Sequence, residues 1–146
     1  MTRLRRPAAA LALGAATLAL AGCSATGTPE MLPDSEAKQL ASASEAIEGA
    51  CARGPLTPAQ ETALLPRVTT LVDATKKHPD TFFTYEQEDE NPLISTPSLE
   101  LAAVVGTLGG VGPQRICSPR LAAIADRGLI AAGKVSMLHD MPSARE

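Results

Sequence analysis

The chain has 146 residues, only three aromatic side chains (Phe82, Phe83 and Tyr85), no tryptophan and a formal net charge of −3. That length supports one domain with a modest core, which aliphatic residues and alanine must fill, and such a core favours small, closely packed helices. The acidic balance excludes the basic footprint that binding to nucleic acid requires.

The chain begins with a basic cluster, Arg3, Arg5 and Arg6, followed by an uncharged apolar run from Ala8 to Ala21. This is the layout of a secretory signal, and the run is too short to span a bilayer as a helix. It closes on Leu20-Ala21-Gly22-Cys23, which resembles the lipobox of bacterial lipoprotein precursors. The resemblance covers residues 1–23 only. It implies that Cys23 is linked through a thioether to diacylglycerol, that the Gly22–Cys23 bond is cut, and that the amino group so exposed is acylated. The implied cofactor set is empty apart from that covalent lipid. The implied location is the extracytoplasmic side of the cell membrane. In an envelope with two membranes, Ser24 resembles residues that permit sorting to the outer one.

Removing residues 1–22 would take three of the 13 basic residues and none of the 16 acidic ones, leaving ten against 16, a balance of −6. Such a surface is repelled by anionic headgroups, so the lipid is expected to hold the protein to the membrane. It would also take one of the three cysteines into the lipid. Cys51 and Cys117 then remain as an even pair in an oxidising compartment and are expected to form a disulfide. Closing a loop of that length stabilises a fold by about 4 kcal/mol in the chain-entropy model.

Residues 23–33 read as the lipidated cysteine and a tether. Ten residues of this composition reach about 17 Å when flexible. Residues 34–138 read as an all-α domain of four helices, and residues 139–146 as a flexible tail. The first helix spans Asp34 to Arg53, capped by Asp34 or Ser35 and stopped by Gly54, the left-handed cap, and Pro55, with Leu40, Ala43, Ile47, Ala50 and Cys51 near one face. Thr57-Pro58-Ala59-Gln60 opens the second helix with a capping box and proline at the first helical position. Pro66 lies inside its apolar stripe and predicts a kink or break near Thr62–Leu65. Thr81 to Tyr85 has the propensity of a short extended segment. The run Glu86-Gln87-Glu88-Asp89-Glu90 is a surface loop.

Thr96-Pro97 opens the third helix, with Glu100 in its first turn. Apolar residues all round Leu101 to Val105 predict a central buried helix, dissolved by the glycines at 106, 109, 110 and 112. Ser118-Pro119 opens the fourth, with Leu121, Ile124, Ala125, Gly128, Ala132 and Val135 on its inner face. The three Thr/Ser-Pro openings are unequally spaced and so are punctuation, not a repeat.

No catalytic constellation emerges. Ser35-Glu36-Ala37-Lys38 matches the Ser-x-x-Lys of penicillin-recognising enzymes, but their Ser-Asp-Asn and Lys-Thr-Gly elements are absent from the sequence. The glycine-rich stretch 106–112 lacks the Lys-Ser/Thr ending of a phosphate loop. His78 and His139 have no third ligand nearby in sequence, so no metal site is expected. The candidate binding residues are the aromatic–acidic stretch: Phe82, Phe83, Tyr85, Glu86, Glu88, Asp89 and Glu90. With no enzyme chemistry in view, the expectation is a non-catalytic protein-interaction module of the envelope with a protein partner. The alternative is a carrier of a small ligand or metal ion using residues 81–92.

Overall fold

The computed structural model describes residues 29–86, 92–110 and 115–138. The cleavage site, Cys23, Glu88, Asp89, Glu90, His139 and the rest of the expected tail lie outside them. Four helices carry the fold: α1 (Asp34–Cys51), α2 (Pro58–Lys77), α3 (Pro97–Gly109) and α4 (Pro119–Ala131). A two-stranded antiparallel sheet, β1 (Phe83–Tyr85) with β2 (Leu93–Ser95), is inserted between α2 and α3. The class is all-α, as expected, but the extended segment at 81–85 has a partner strand that the sequence did not suggest.

Local chemistry sets three of the helix starts. Thr57 Oγ1 accepts from the Gln60 amide while the Gln60 side chain accepts from the Thr57 amide, completing the capping box. Thr96 and Ser118 cap α3 and α4 in the same way, accepting from the amides of Leu99 and Leu121. In each case proline follows the cap, where its missing N–H is not needed. The first helix departs from expectation. Its cap position is Pro33, with no side-chain bond, so neither Asp34 nor Ser35 is a cap. It also ends at Cys51 with a right-handed Ala52, and Gly54 takes its positive φ of 118° two residues further on rather than as the cap.

Of the kink or break expected at Pro66, the break does not occur: α2 is continuous from Pro58 to Lys77. Pro66 is exposed, so the Thr62 carbonyl that loses its N–H partner lies on the solvent side, where water can satisfy it. The glycine expectation in α3 is also corrected: Gly106 and Gly109 are inside the helix, and Gly110 follows as its left-handed C-cap (φ 75°). A Cβ at Gly110 would stand 2.8 Å from the Ile116 amide nitrogen, so both the conformation and the space require glycine.

The core is one cluster, with Leu40 and Ile47 of α1, Val68 and Leu71 of α2, Leu101, Val104, Val105 and Leu108 of α3, and Leu121 and Leu129 of α4 all buried. Helix α3 contacts the other three helices, but so does α2. Leu99 and Ala103 are exposed, so α3 is a one-sided helix and not an enclosed one. Phe83 fills the core from the sheet with no exposed surface. The stretch read as a tether contributes Leu32, which is buried and donates its amide to the Phe82 carbonyl at 2.9 Å, while Met31 forms a parallel bridge with Phe82. Met31 and Leu32 therefore belong to the folded unit.

Cys51 and Cys117 form the expected disulfide, with Cα atoms 5.4 Å apart. The bond lies on a seam of backbone bonds. The Leu56 amide donates to the Cys117 carbonyl, and the amides of Cys117 and Ser118 both donate to the Leu108 carbonyl. Helix α4 stops before the expected Val135, which is 82% exposed, and Leu129 takes the inner position instead. Beyond the helix, Asp126 accepts from Ser136 Oγ and from the amides of Met137 and Leu138, so the chain is folded back over α4. Lys134 adds a two-pronged ion pair with Asp80 at 2.6 and 2.8 Å, which holds the Asp80 carboxyl below its ordinary range.

Candidate functional site

The sheet packs on α1, and its strand alternation divides the aromatic residues. Phe83 and Tyr85 face the helices, with ring centroids 5.9 Å apart, while Phe82 is 45% exposed. Below Tyr85 lies a residue that the sequence presented only as a favourable first-turn charge. Glu100 of α3 is buried, and its two oxygens accept from Ser44 Oγ of α1 at 2.8 Å and Ser95 Oγ of β2 at 2.6 Å. Three elements, α1, β2 and α3, thus converge on one carboxylate. A buried charge is tolerated when its lone pairs are occupied in this way. Among the described residues, no buried side-chain polar atom lacks a partner.

The electrostatics extend outward from Glu100. Burial raises the Glu48 carboxyl above its ordinary value, and the charges of Glu100 and Glu45 raise it further. Burial raises the Tyr85 phenol, and the charges of Glu100, Glu48 and Glu45 raise it further. The native state therefore favours neutral Tyr85. Its contribution to stability is complete below the unfolded value of 10.0 and is lost as pH rises through the higher folded value. Tyr85 is the single tyrosine, so phenolate absorbance reports it alone. A native midpoint above 10 is expected, falling towards 10 in denaturant and in Glu100→Gln. A native midpoint at or below the denatured one would contradict the arrangement.

Two open clefts flank this cluster. One, of about 650 Å³, runs between the first half of α1 and the sheet, with Lys38, Glu45, Tyr85 and Glu86 on its walls. The other, of about 560 Å³, lies beside the disulfide, with Glu48, Thr107 and Arg115 around it. Neither holds a paired nucleophile and base. Ser44 and Ser95 both donate to Glu100, so the cluster is a polar tie between α1, β2 and α3. No group of three or more metal-ligating side chains is assembled among the described residues.

The structure separates the residues singled out in the sequence. Phe83 belongs to the core, Tyr85 and Glu86 border the larger cleft, and Phe82 faces outward. Glu88, Asp89 and Glu90 fall in the sequence between β1 and β2, outside the described residues. Ser35 and His78 are exposed, with His78 at the end of α2, where its amide donates to the Ala74 carbonyl. Sequence reasoning missed Glu100, Ser44 and Ser95. The one available signal was a Glu followed at once by the apolar run Leu101 to Val105, which puts a charge next to a core stripe.

Comparison with known proteins gives no match: no protein-family model, no curated protein and no solved structure is significantly similar to the chain.

Proposed function

We propose that this chain is a lipid-anchored protein of the extracytoplasmic envelope, acting without catalysis as a binding module beside the membrane for another envelope protein. The observation that carries the reading is Leu20-Ala21-Gly22-Cys23 at the end of a basic-then-apolar leader. Two features support it. The Cys51–Cys117 disulfide suits an oxidising compartment outside the cytoplasm. No helix among the described residues is long and apolar enough to cross a membrane, so attachment at Cys23 supplies what the folded part does not.

The test is Cys23→Ala in the full precursor. The wild-type chain is expected to incorporate labelled palmitate and to sediment with membranes. The variant should incorporate none and should accumulate uncut or leave the membrane fraction. A variant that is cut and retained like the wild type overturns the lipid anchor.

A second reading, a carrier of a small ligand, rests on the cleft between α1 and the sheet, whose volume of about 650 Å³ is within the range of small-molecule sites. Its walls offer Lys38 against Glu45 and Glu86, with one face of Tyr85 for stacking. A partly polar or zwitterionic ligand fits that lining better than an apolar one.

A further inference from the structure

We propose that the outer face of the small sheet, formed by Met31, Phe82 and Ile94, is a membrane-contact surface that rests at the headgroup–acyl boundary of the bilayer and fixes the domain's orientation. The inference rests on the lipid anchor at Cys23.

Strand geometry puts the three side chains together. Residues alternate between faces, so inward Phe83 and Tyr85 require Phe82 and Thr84 to point outward. Met31 bridges Phe82, and Ile94 is paired with Thr84, which makes it the diagonal neighbour of Phe82. On the inner face Leu32, Phe83 and Ser95 are buried and Tyr85 is half-buried, with Leu93 38% exposed at the sheet's end, whereas Met31, Phe82 and Ile94 on the outer face are 42%, 45% and 68% exposed. The sheet thus has one face spent on the core and one on which Met31, Phe82 and Ile94, beside Thr84, stay exposed among the described residues. An apolar patch of this kind on a soluble surface marks a contact site.

The chain outside the fold indicates the occupant. The anchored residue, Cys23, precedes Met31 by only eight positions, and the leash enters the fold through the patch itself. Eight residues reach about 16 Å when flexible and no more than about 28 Å when fully extended. Any lipid on Cys23 therefore holds this face, and not the far ends of the helices, next to the bilayer. Tethering at that distance makes a weak surface contact effectively intramolecular, so three side chains suffice to orient a domain they could not recruit. Phe, Ile and Met without lysine or arginine suit the interface of a zwitterionic bilayer, and the acidic residues Glu30 and Glu86 nearby disfavour an anionic one.

Tryptophan placed in this otherwise tryptophan-free chain tests the contact. Lipidated Phe82→Trp and, as control, lipidated Ala63→Trp on the exposed side of α2 are reconstituted into phosphatidylcholine vesicles with brominated acyl chains. Flotation with the vesicles and the acylated mass are read first. Phe82→Trp is expected to lose at least about threefold more emission than Ala63→Trp, and to shift to the blue, because contact of this type places a side chain at acyl depth. Protein that neither carries lipid nor floats overturns the anchor, and this inference with it. Protein that floats while both tryptophans stay unquenched overturns the membrane face alone. A blue shift of Phe82→Trp that grows with protein concentration in the absence of vesicles also overturns it, in favour of a second copy of the chain on the same face.

Discussion

Reducing the Cys51–Cys117 bond, or replacing both cysteines by alanine, is expected to lower the melting temperature by roughly 15 °C. The bond closes a loop of 66 residues that contains all of α2, the sheet and α3. In the chain-entropy model a loop of that size restricts the unfolded chain by about 4 kcal/mol, a large part of the 5–15 kcal/mol on which a domain of this size stands. The folded side of the balance changes little. The seam from Leu56 to Cys117 and from Cys117 and Ser118 to Leu108 is made by backbone groups that survive reduction. The measurement is a pair of thermal melts with and without reductant, together with thiol labelling of the unreduced protein. Two free thiols in that protein, or a shift under about 5 °C, would sink the assignment of the bond as a main support of the fold.

Gly128→Ala is expected to destabilise the domain by about 2 kcal/mol, the size of a typical overpacking penalty. On an exposed helix the same change would stabilise by about 1 kcal/mol, since alanine is the better helix former. The sign reverses because α4 crosses α2 at this glycine. An added Cβ would meet Val72 Cγ2 at 2.7 Å, Cγ1 at 2.9 Å and Cβ at 3.2 Å. Valine is branched at Cβ, so it has no alternative rotamer that withdraws both methyl groups. Shortening the obstacle should undo the clash. In Val72→Ala/Gly128→Ala the two costs are expected to fall well short of their sum, a coupling that a urea double-mutant cycle measures directly. A stabilising Gly128→Ala would show that the helices part without cost.

What the sequence made legible was local. Thr57, Thr96 and Ser118 announce three helix starts because a cap, a proline and the amide three residues on are all within one turn of chain. The disulfide was legible because the lipid attachment expected at Cys23 leaves two cysteines and no choice of partner. What was not legible depended on residues far apart. Glu100 looks like a charge placed for the helix dipole, and its burial becomes intelligible only when Ser44, 56 residues earlier, and Ser95 donate to it. Strand β2 has three residues and follows a proline, too little periodicity to register, and it exists because β1 offers a partner. Leu32 sat in a proline- and glycine-containing stretch that read as linker, yet it closes the core beside Phe82. Val135 was placed on the inner face of α4 by extending a period past Ala131, where the helix had already stopped and the chain turned back to Asp126.

The position of the disulfide decides what a break in the chain between the two strands would do. The sequence between Tyr85 and Leu93 joins the two strands and carries four acidic residues, Glu86, Glu88, Asp89 and Glu90. A single cut there leaves one piece ending in the region of β1 and carrying Cys51, and another beginning near β2 and carrying Cys117. The two stay covalently joined through sulfur, and each holds the other at a local concentration that no dilution of the sample changes. The core contacts of α1 and α2 with α3 and α4 then close again as an intramolecular event. A nicked molecule keeps its shape, and with an anchor at Cys23 it would also keep its second half at the membrane.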